Sequence, residues 1–249
     1  MVKQARERRT YDQECGLAYA LDVVGERWTL LIIRELLLRP RRYHELLSAL
    51  PGIGTNLLAD RLAFLTEAGL IEPIEPGRRT GGYALTELGR SLHESILGLA
   101  RFGLIVGANQ PHRPSMAVRP AWAALAIEAM IDSSRASDID EVYQFDVDGE
   151  VFHVSVVGGH ASTHAGPAEN PTLVAITDAR TFFDLGMRRV DPIEAVVSGA
   201  VRVTGSPAAV PRCLRLIGLG GSDHAGPGSA RGTAATPGGA GAGTVTTRR

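Results

Sequence analysis

Residues 55–67, TNLLADRLAFLTE, constrain the fold more tightly than any other stretch of the chain. Leu58, Leu62 and Leu65 recur at i, i+4 and i+7, which places them on one side of a helix and obliges that side to pack into a core. The opposite side holds Thr55, Asn56, Ala59, Asp60 and Ala63. A solvated helix face is ordinarily crowded with charged side chains. This one is short-chained and lightly charged. Such a helix is suited to burial on one side and to close approach by a partner on the other.

The surrounding segments read as helices and one hairpin. CGLAYALDVVG offers Leu17, Leu21 and Val24 on one side, and RWTLLIIRELLL is apolar nearly all round, which predicts a central buried helix. RRYHELLSAL supplies a short helix ending near Pro51-Gly52, and the helix of the opening stretch starts at Gly54 or Thr55 and stops at Gly69. LIEPIEPGRRTGGYALT reads as a β-hairpin with arginines at its tip. Thr86 caps a last helix predicted to run unbroken to about Ala108. That helix has apolar residues on two flanks, and its second partner is either another copy of the chain or the second domain.

This order of parts makes a winged helix-turn-helix, in which one helix is buried on its inner side and presents its N-terminal residues to the DNA major groove. Thr55 and Asn56 occupy that end, with Leu57 and Asp60 beside them, and Asn can bond an adenine edge bidentately. Arg61 suits a phosphate. The pair Arg41 and Arg42 and the wing-tip pair Arg78 and Arg79 are placed to neutralise phosphates. Read singly, Thr55 and Asn56 are also compatible with satisfying the first amides of their own helix, and Arg78 and Arg79 with a solvated turn.

Cys15, Ala20-Leu21-Asp22-Val23-Val24-Gly25, Arg27-Trp28-Thr29-Leu30-Leu31-Ile32, Arg34-Glu35-Leu36 and Arg42-Tyr43-His44-Glu45-Leu46 together resemble the HxlR-type bacterial transcriptional regulators. Leu50-Pro51-Gly52-Ile53, Arg61-Leu62, Gly69-Leu70-Ile71 and Tyr83-Ala84-Leu85-Thr86-Glu87-Leu88-Gly89 continue the resemblance, which spans roughly residues 13–108. It implies a dimeric winged-helix fold related to MarR regulators, binding double-stranded DNA at an inverted-repeat operator. Arg39, Gly16 and Gly54 depart from the family pattern, and Gly54 remains an acceptable N-cap. Some members sense oxidants through a cysteine at the place of Cys15. A helix start lowers a thiol's pKa, Glu14 beside it raises it, and a free Cys also serves as a small buried hydrophobe.

Beyond a linker around residues 107–114, a second unit begins. PAWAALAIEAMIDSS reads as one helix. VYQFDVDGEVFHVSVV alternates apolar and polar residues on either side of Asp148-Gly149, a two-residue hairpin turn. TLVAIT and AVRVTG supply strands, TFFDLGM and PRCLRLIGL helices, and His160 and His164 fall in a Gly- and Ser-rich connection. The fold class is therefore α+β: a DNA-binding domain over residues 1–112, an α+β domain over 113–219, and a Gly/Ala-rich tail over 220–249, expected to be disordered. The second domain resembles the sterol-carrier-protein-like lipid-binding fold. That resemblance implies an apolar cavity between sheet and helices and a small apolar ligand. Phe182, Phe183, Leu185, Met187, Leu214 and Leu216 are its candidate lining, each also compatible with plain core.

Formal net charge is −1 and charged residues make up 21% of the chain, so any basic footprint is local. Two cysteines far apart suggest neither a disulfide framework nor a zinc cluster. His153, His160 and His164 lack nearby carboxylate or thiol ligands, so no metal is expected. No arrangement for catalysis appears, so neither an enzyme nor a cofactor is expected. No apolar run reaches membrane-spanning length, and a cytoplasmic setting is expected. The sequence thus reads as a dimeric DNA-binding regulator responsive to an apolar ligand. Its rivals are a thiol-based redox regulator acting through Cys15 and a lipid carrier with a docking helical domain.

Overall fold

The computed structural model describes residues 10–75, 81–111, 113, 115–136 and 139–220. The first unit comprises α1 (Gly16–Val24), α2 (Thr29–Leu38), β1 (Arg41–Arg42), α3 (Tyr43–Ala49), α4 (Thr55–Glu67), β2 (Ile71–Pro73), β3 (Gly82–Leu85), α5 (Glu87–Arg90) and α6 (His93–Ala108). Leu58, Leu62 and Leu65 of α4 are no more than 1% exposed, and they meet Ile32, Ile33 and Leu36 of α2 and Leu46 of α3 in one core. Burying three leucines on one stripe contributes about 1.5–3 kcal/mol apiece relative to leaving them in water. That is enough to fix which side of α4 faces inward.

The wing is a three-stranded sheet in the order β1-β3-β2, with Arg41 opposite Tyr83 and Ile71 opposite Leu85. The strand β1 adds to the expected hairpin. The expected unbroken helix after Thr86 is divided into α5 and α6. Close packing accounts for the break: a Cβ on Gly89 would lie 2.1 Å from the Leu70 carbonyl oxygen, so α5 is pressed onto the end of α4. Thr86 caps α5 through its bond from the Gly89 amide, and its hydroxyl also donates to the Gly69 carbonyl at 2.6 Å. A turn at Ser91 and Leu92 then separates α5 from α6.

The second unit contains α7 (Ala123–Met130), β4 (Glu141–Val147), β5 (Glu150–Val157), β6 (His160–Ala165), β7 (Leu173–Thr177), α8 (Ala179–Gly186), α9 (Pro192–Val197), β8 (Val201–Gly205) and α10 (Ala209–Leu216). Its sheet runs β6-β5-β4-β7-β8, antiparallel except for the β4–β7 pair. Asp148 (φ 50°) and Gly149 (φ 84°) turn the β4–β5 hairpin with two left-handed residues, the conformation a two-residue loop requires. Tyr143, Phe145, Val147, Phe152, Val154 and Val156 point to the face covered by α7, α8 and α10. The stretch expected as a loop contains the edge strand β6. The helix expected over residues 120–134 is a 3₁₀ turn at Pro120–Trp122, then α7, then a second 3₁₀ turn at Ser133–Arg135.

The two units share α7. Ala123 and Ile127 belong to the core of the second sheet, whereas Leu125 and Ala129 belong to the core of the winged helix. A helix apolar on two sides is what such a shared position demands, and its one charged residue, Glu128, pairs with His93 of α6. The same packing bears on the two flanks of α6. Ile96 and Leu97 are buried, and Arg101 donates from Nε to the Ala129 carbonyl at 2.8 Å, so one flank rests on α7. Leu99, Phe102, Ile105 and Val106 stay exposed on the other side.

Candidate nucleic-acid interface and the cavity behind it

The turn between α3 and α4 is held from both ends. Ile53 donates its amide to the Leu50 carbonyl at 3.1 Å, and the Tyr43 hydroxyl donates to the Thr55 carbonyl at 2.8 Å. Gly54 caps α4 without any side-chain hydrogen bond. Thr55 and Asn56 are exposed, and among the described residues neither side chain has a bonded partner. They therefore cap nothing. Leu57 is half-buried against the core, and Asp60 is exposed one turn further on. The open side of α4 is uncovered among the described residues.

The arginines divide sharply. Arg42 is exposed at the N-cap of α3, where its amide donates to Glu45 Oε2 at 2.7 Å. That bond first, and Arg39 second, hold the Glu45 carboxyl below its ordinary range. Arg41 does not join it. It is 5% exposed and turned inward, its Nη2 lying 3.1 Å from Glu35 Oε2 and its Nε bonded to the Glu35 carbonyl. Successive strand residues face opposite ways, so only one of the pair can reach solvent. Arg61 is engaged within the fold: Nη2 is 2.6 Å from Glu26 Oε2, and the guanidinium reaches the Arg27 carbonyl, so this side chain ties α4 to the α1–α2 turn. Arg78 and Arg79 lie outside the described residues.

Glu35 was not singled out by the sequence reading. It is fully buried on α2, with Arg34 Nη2 at 2.7 Å and the Trp122 indole N–H donating to Oε1 at 2.8 Å. Burial pulls Arg34 and Arg41 below the ordinary guanidinium range, and the Glu35 charge opposes that shift. The available signal was an adjacent Arg-Glu pair inside a helix otherwise almost wholly apolar, since a buried charge demands partners.

Cys15 is the exposed N-cap of α1. The amides of Ala18, first, and Leu17 hold its thiol below its ordinary range. Cys213 is the opposite case: burial, with Glu141 adding, pushes its thiol up to about 12. It faces an apolar cavity of about 80 Å³ whose walls include Ile127, Phe145, Phe182, Leu185, Val203 and Leu214. Three of the candidate lining residues lie elsewhere. Phe182 and Leu185 share the cavity side of α8, while Phe183 and Met187, on its other side, meet Trp122 and Gly107. Leu216 is fully buried in the core, its carbonyl taken by the Asp132 amide. His153 and His164 stack across β5 and β6 with ring centroids 5.1 Å apart. Among the described residues no group of three or more His, Cys, Asp or Glu is placed to hold a metal ion, and no helix is long and apolar enough to cross a membrane.

Residues 23–109 match the family model for an HxlR-like helix-turn-helix. The HTH-type transcriptional regulator YvaP of Bacillus subtilis is 35% identical over 83 residues, covering 32% of this chain and 74% of YvaP. The chain belongs to the HxlR-like helix-turn-helix family. An HTH-type transcriptional regulator of Mycobacterium tuberculosis is 43% identical over 88 residues, 34% of this chain, and the chain spans about half of that relative's length (54%). A solved structure of a MarR-family protein from Porphyromonas gingivalis shares 36% identity, covers 39% of this chain and 97% of its own, and superposes with a TM-score of 0.36. The HxlR-like match ends with α6, so α7 and the second sheet lie beyond it.

Proposed function

We propose that the chain is a sequence-specific, DNA-binding transcriptional regulator that acts as a homodimer and responds to an apolar small molecule in its second domain. One observation carries this reading: the side chains of Thr55 and Asn56 stand exposed, with no bonded partner among the described residues, at the start of a helix whose other side is locked into the core. Exposed Arg42 lies at the start of the preceding helix, on the approach a DNA backbone would take. Membership of a family whose relatives are named as transcriptional regulators supports the same assignment. The reading needs no catalytic residue.

Dimerisation is supported by exposed apolar side chains on two helices: Leu99, Phe102, Ile105 and Val106 on α6, and Leu17 and Tyr19 on α1. Two copies would present their α4 helices to successive major grooves, about 34–36 Å apart. The ligand reading is supported by a cavity between a sheet and helices on one face, the arrangement expected of a sterol-carrier-like domain. At about 80 Å³ the cavity is smaller than the roughly 300 Å³ of an ordinary ligand pocket. A lipid-sized guest must therefore part its walls.

Fluorescence anisotropy with a duplex from the chain's own promoter tests the reading. Tight binding that weakens steeply with salt, and far weaker binding to a scrambled duplex, is the expected result. Equal affinity for both, or no binding at low salt, would return the chain to the lipid-carrier alternative. The position of Cys15 favours a second reading, redox control. There, oxidant treatment releases the duplex from the unmodified chain and leaves Cys15→Ser bound.

A further inference from the structure

A continuous line of contacts joins the cavity to the helix-turn-helix. Phe182 forms part of the cavity wall and meets Phe183 edge-on, with ring centroids 5.4 Å apart. Phe183 meets Trp122 edge-on at 6.4 Å. The Trp122 indole N–H donates to Glu35 at 2.8 Å, and the Arg34 guanidinium lies over its ring at 4.0 Å. Glu35 is paired to Arg41 at 3.1 Å. Arg41 sits opposite Tyr83 in the wing, and the next residue, Arg42, is the N-cap of α3.

Two features make this line stiff. Glu35 is fully buried, with Trp122 and Arg34 bonded to its Oε1 and Arg41 lying against its Oε2, so one carboxylate holds three side chains in a single arrangement. Trp122 is also the N-cap of α7, whose Ile127 and Met130 line the cavity. A guest that parts the cavity walls displaces Phe182 and α7 together. Both displacements converge on one indole ring.

We propose that Trp122 and Glu35 are positioning residues through which the state of the second domain's cavity sets the posture of β1 and the start of α3, and so the affinity for DNA. The inference rests on the DNA-binding reading given above, and it adds the route by which the second domain controls that site. Neither residue touches DNA. Each acts through Arg41, and the coupling is a shift between two arrangements of a packed network.

The test is a double-mutant cycle on the full chain, read as affinity for its promoter duplex by anisotropy. Phe183→Leu cuts the line on the cavity side; Trp122→Phe removes the indole donor and keeps an aromatic ring. Each single variant should change duplex affinity at least about threefold. The double variant should behave like Trp122→Phe alone, because the influence of Phe183 passes through Trp122. A purely structural role predicts lower melting temperatures with unchanged affinity of the folded protein, or independent effects that multiply, and either result would overturn the proposal. If the unmodified chain binds no duplex, the DNA-binding reading falls and the proposal with it. If it binds and both single variants match it, only the proposal falls. A second measurement is independent of how Phe183→Leu folds. The chain has two tryptophans, so Trp28→Phe leaves Trp122 as the sole reporter. Duplex binding should then shift its emission maximum, and an unmoved spectrum would overturn the proposal.

Discussion

The winged helix and the second sheet place their working surfaces in opposite ways. The first locks Leu58, Leu62 and Leu65 inward and leaves a bare helix start in solvent. The second turns its apolar residues toward an interior space and covers it with α7, α8 and α10. A helix start held by a packed stripe is ordered before any partner arrives, whereas a cavity of about 80 Å³ must widen to admit a lipid-sized guest. The shared helix α7 packs into both, with Leu125 and Ala129 in one core and Ile127 in the other.

The contrast can be broken most forcefully at the rigid end. Leu62→Ala should lower unfolding free energy by roughly 2–5 kcal/mol in a denaturant titration. A loss below 1 kcal/mol would mean that α4 is not held by its inner stripe.

The yielding end has its own signature in alkali. The Cys213 thiol has its folded pKa raised from 9.0 to about 12, so it stays neutral in the fold while the unfolded chain ionises. Below pH 9 this costs nothing. As pH rises from 9.0 towards 12, stability should fall by roughly 1.4 kcal/mol per unit attributable to this group. Stability measured at pH 8 and pH 10.5 should therefore diverge more in the unmodified chain than in Cys213→Val; identical slopes would place the thiol in contact with water.

A smaller effect sharpens the picture at the surface. Arg42→Ala should weaken binding to specific and scrambled duplexes alike and reduce the salt slope by about one. It should hardly change stability, since the capping bond to Glu45 comes from the Arg42 backbone. A change in sequence preference instead would give Arg42 a role in base reading.

What the sequence disclosed follows the same division. The α4 stripe was legible because helical periodicity alone dictates it, and the Asp148-Gly149 hairpin because its turn chemistry is local. Arg41 was misread as a surface charge. Its direction depends on Glu35, a residue on a neighbouring element, and one residue of strand register reverses it. β6 escaped notice because His160, Ser162 and His164 alternate with small residues, leaving little hydrophobic contrast on an edge strand. Phe183 and Met187 were placed in the cavity with Phe182 and Leu185, since composition does not report the rotation of a short helix. In the fold those two side chains turn toward Trp122 and Gly107. The break at Gly89 arises from a contact with Leu70, which no local pattern announces.

The central claim is that the bare start of α4 reads bases, and Asn56→Ala addresses it most directly. Anisotropy titrations of that variant against the promoter duplex and a scrambled duplex, at one salt concentration, should show a loss of about 1–3 kcal/mol on the first and almost none on the second. Equal affinities for the unmodified chain and the variant on the promoter duplex would contradict it.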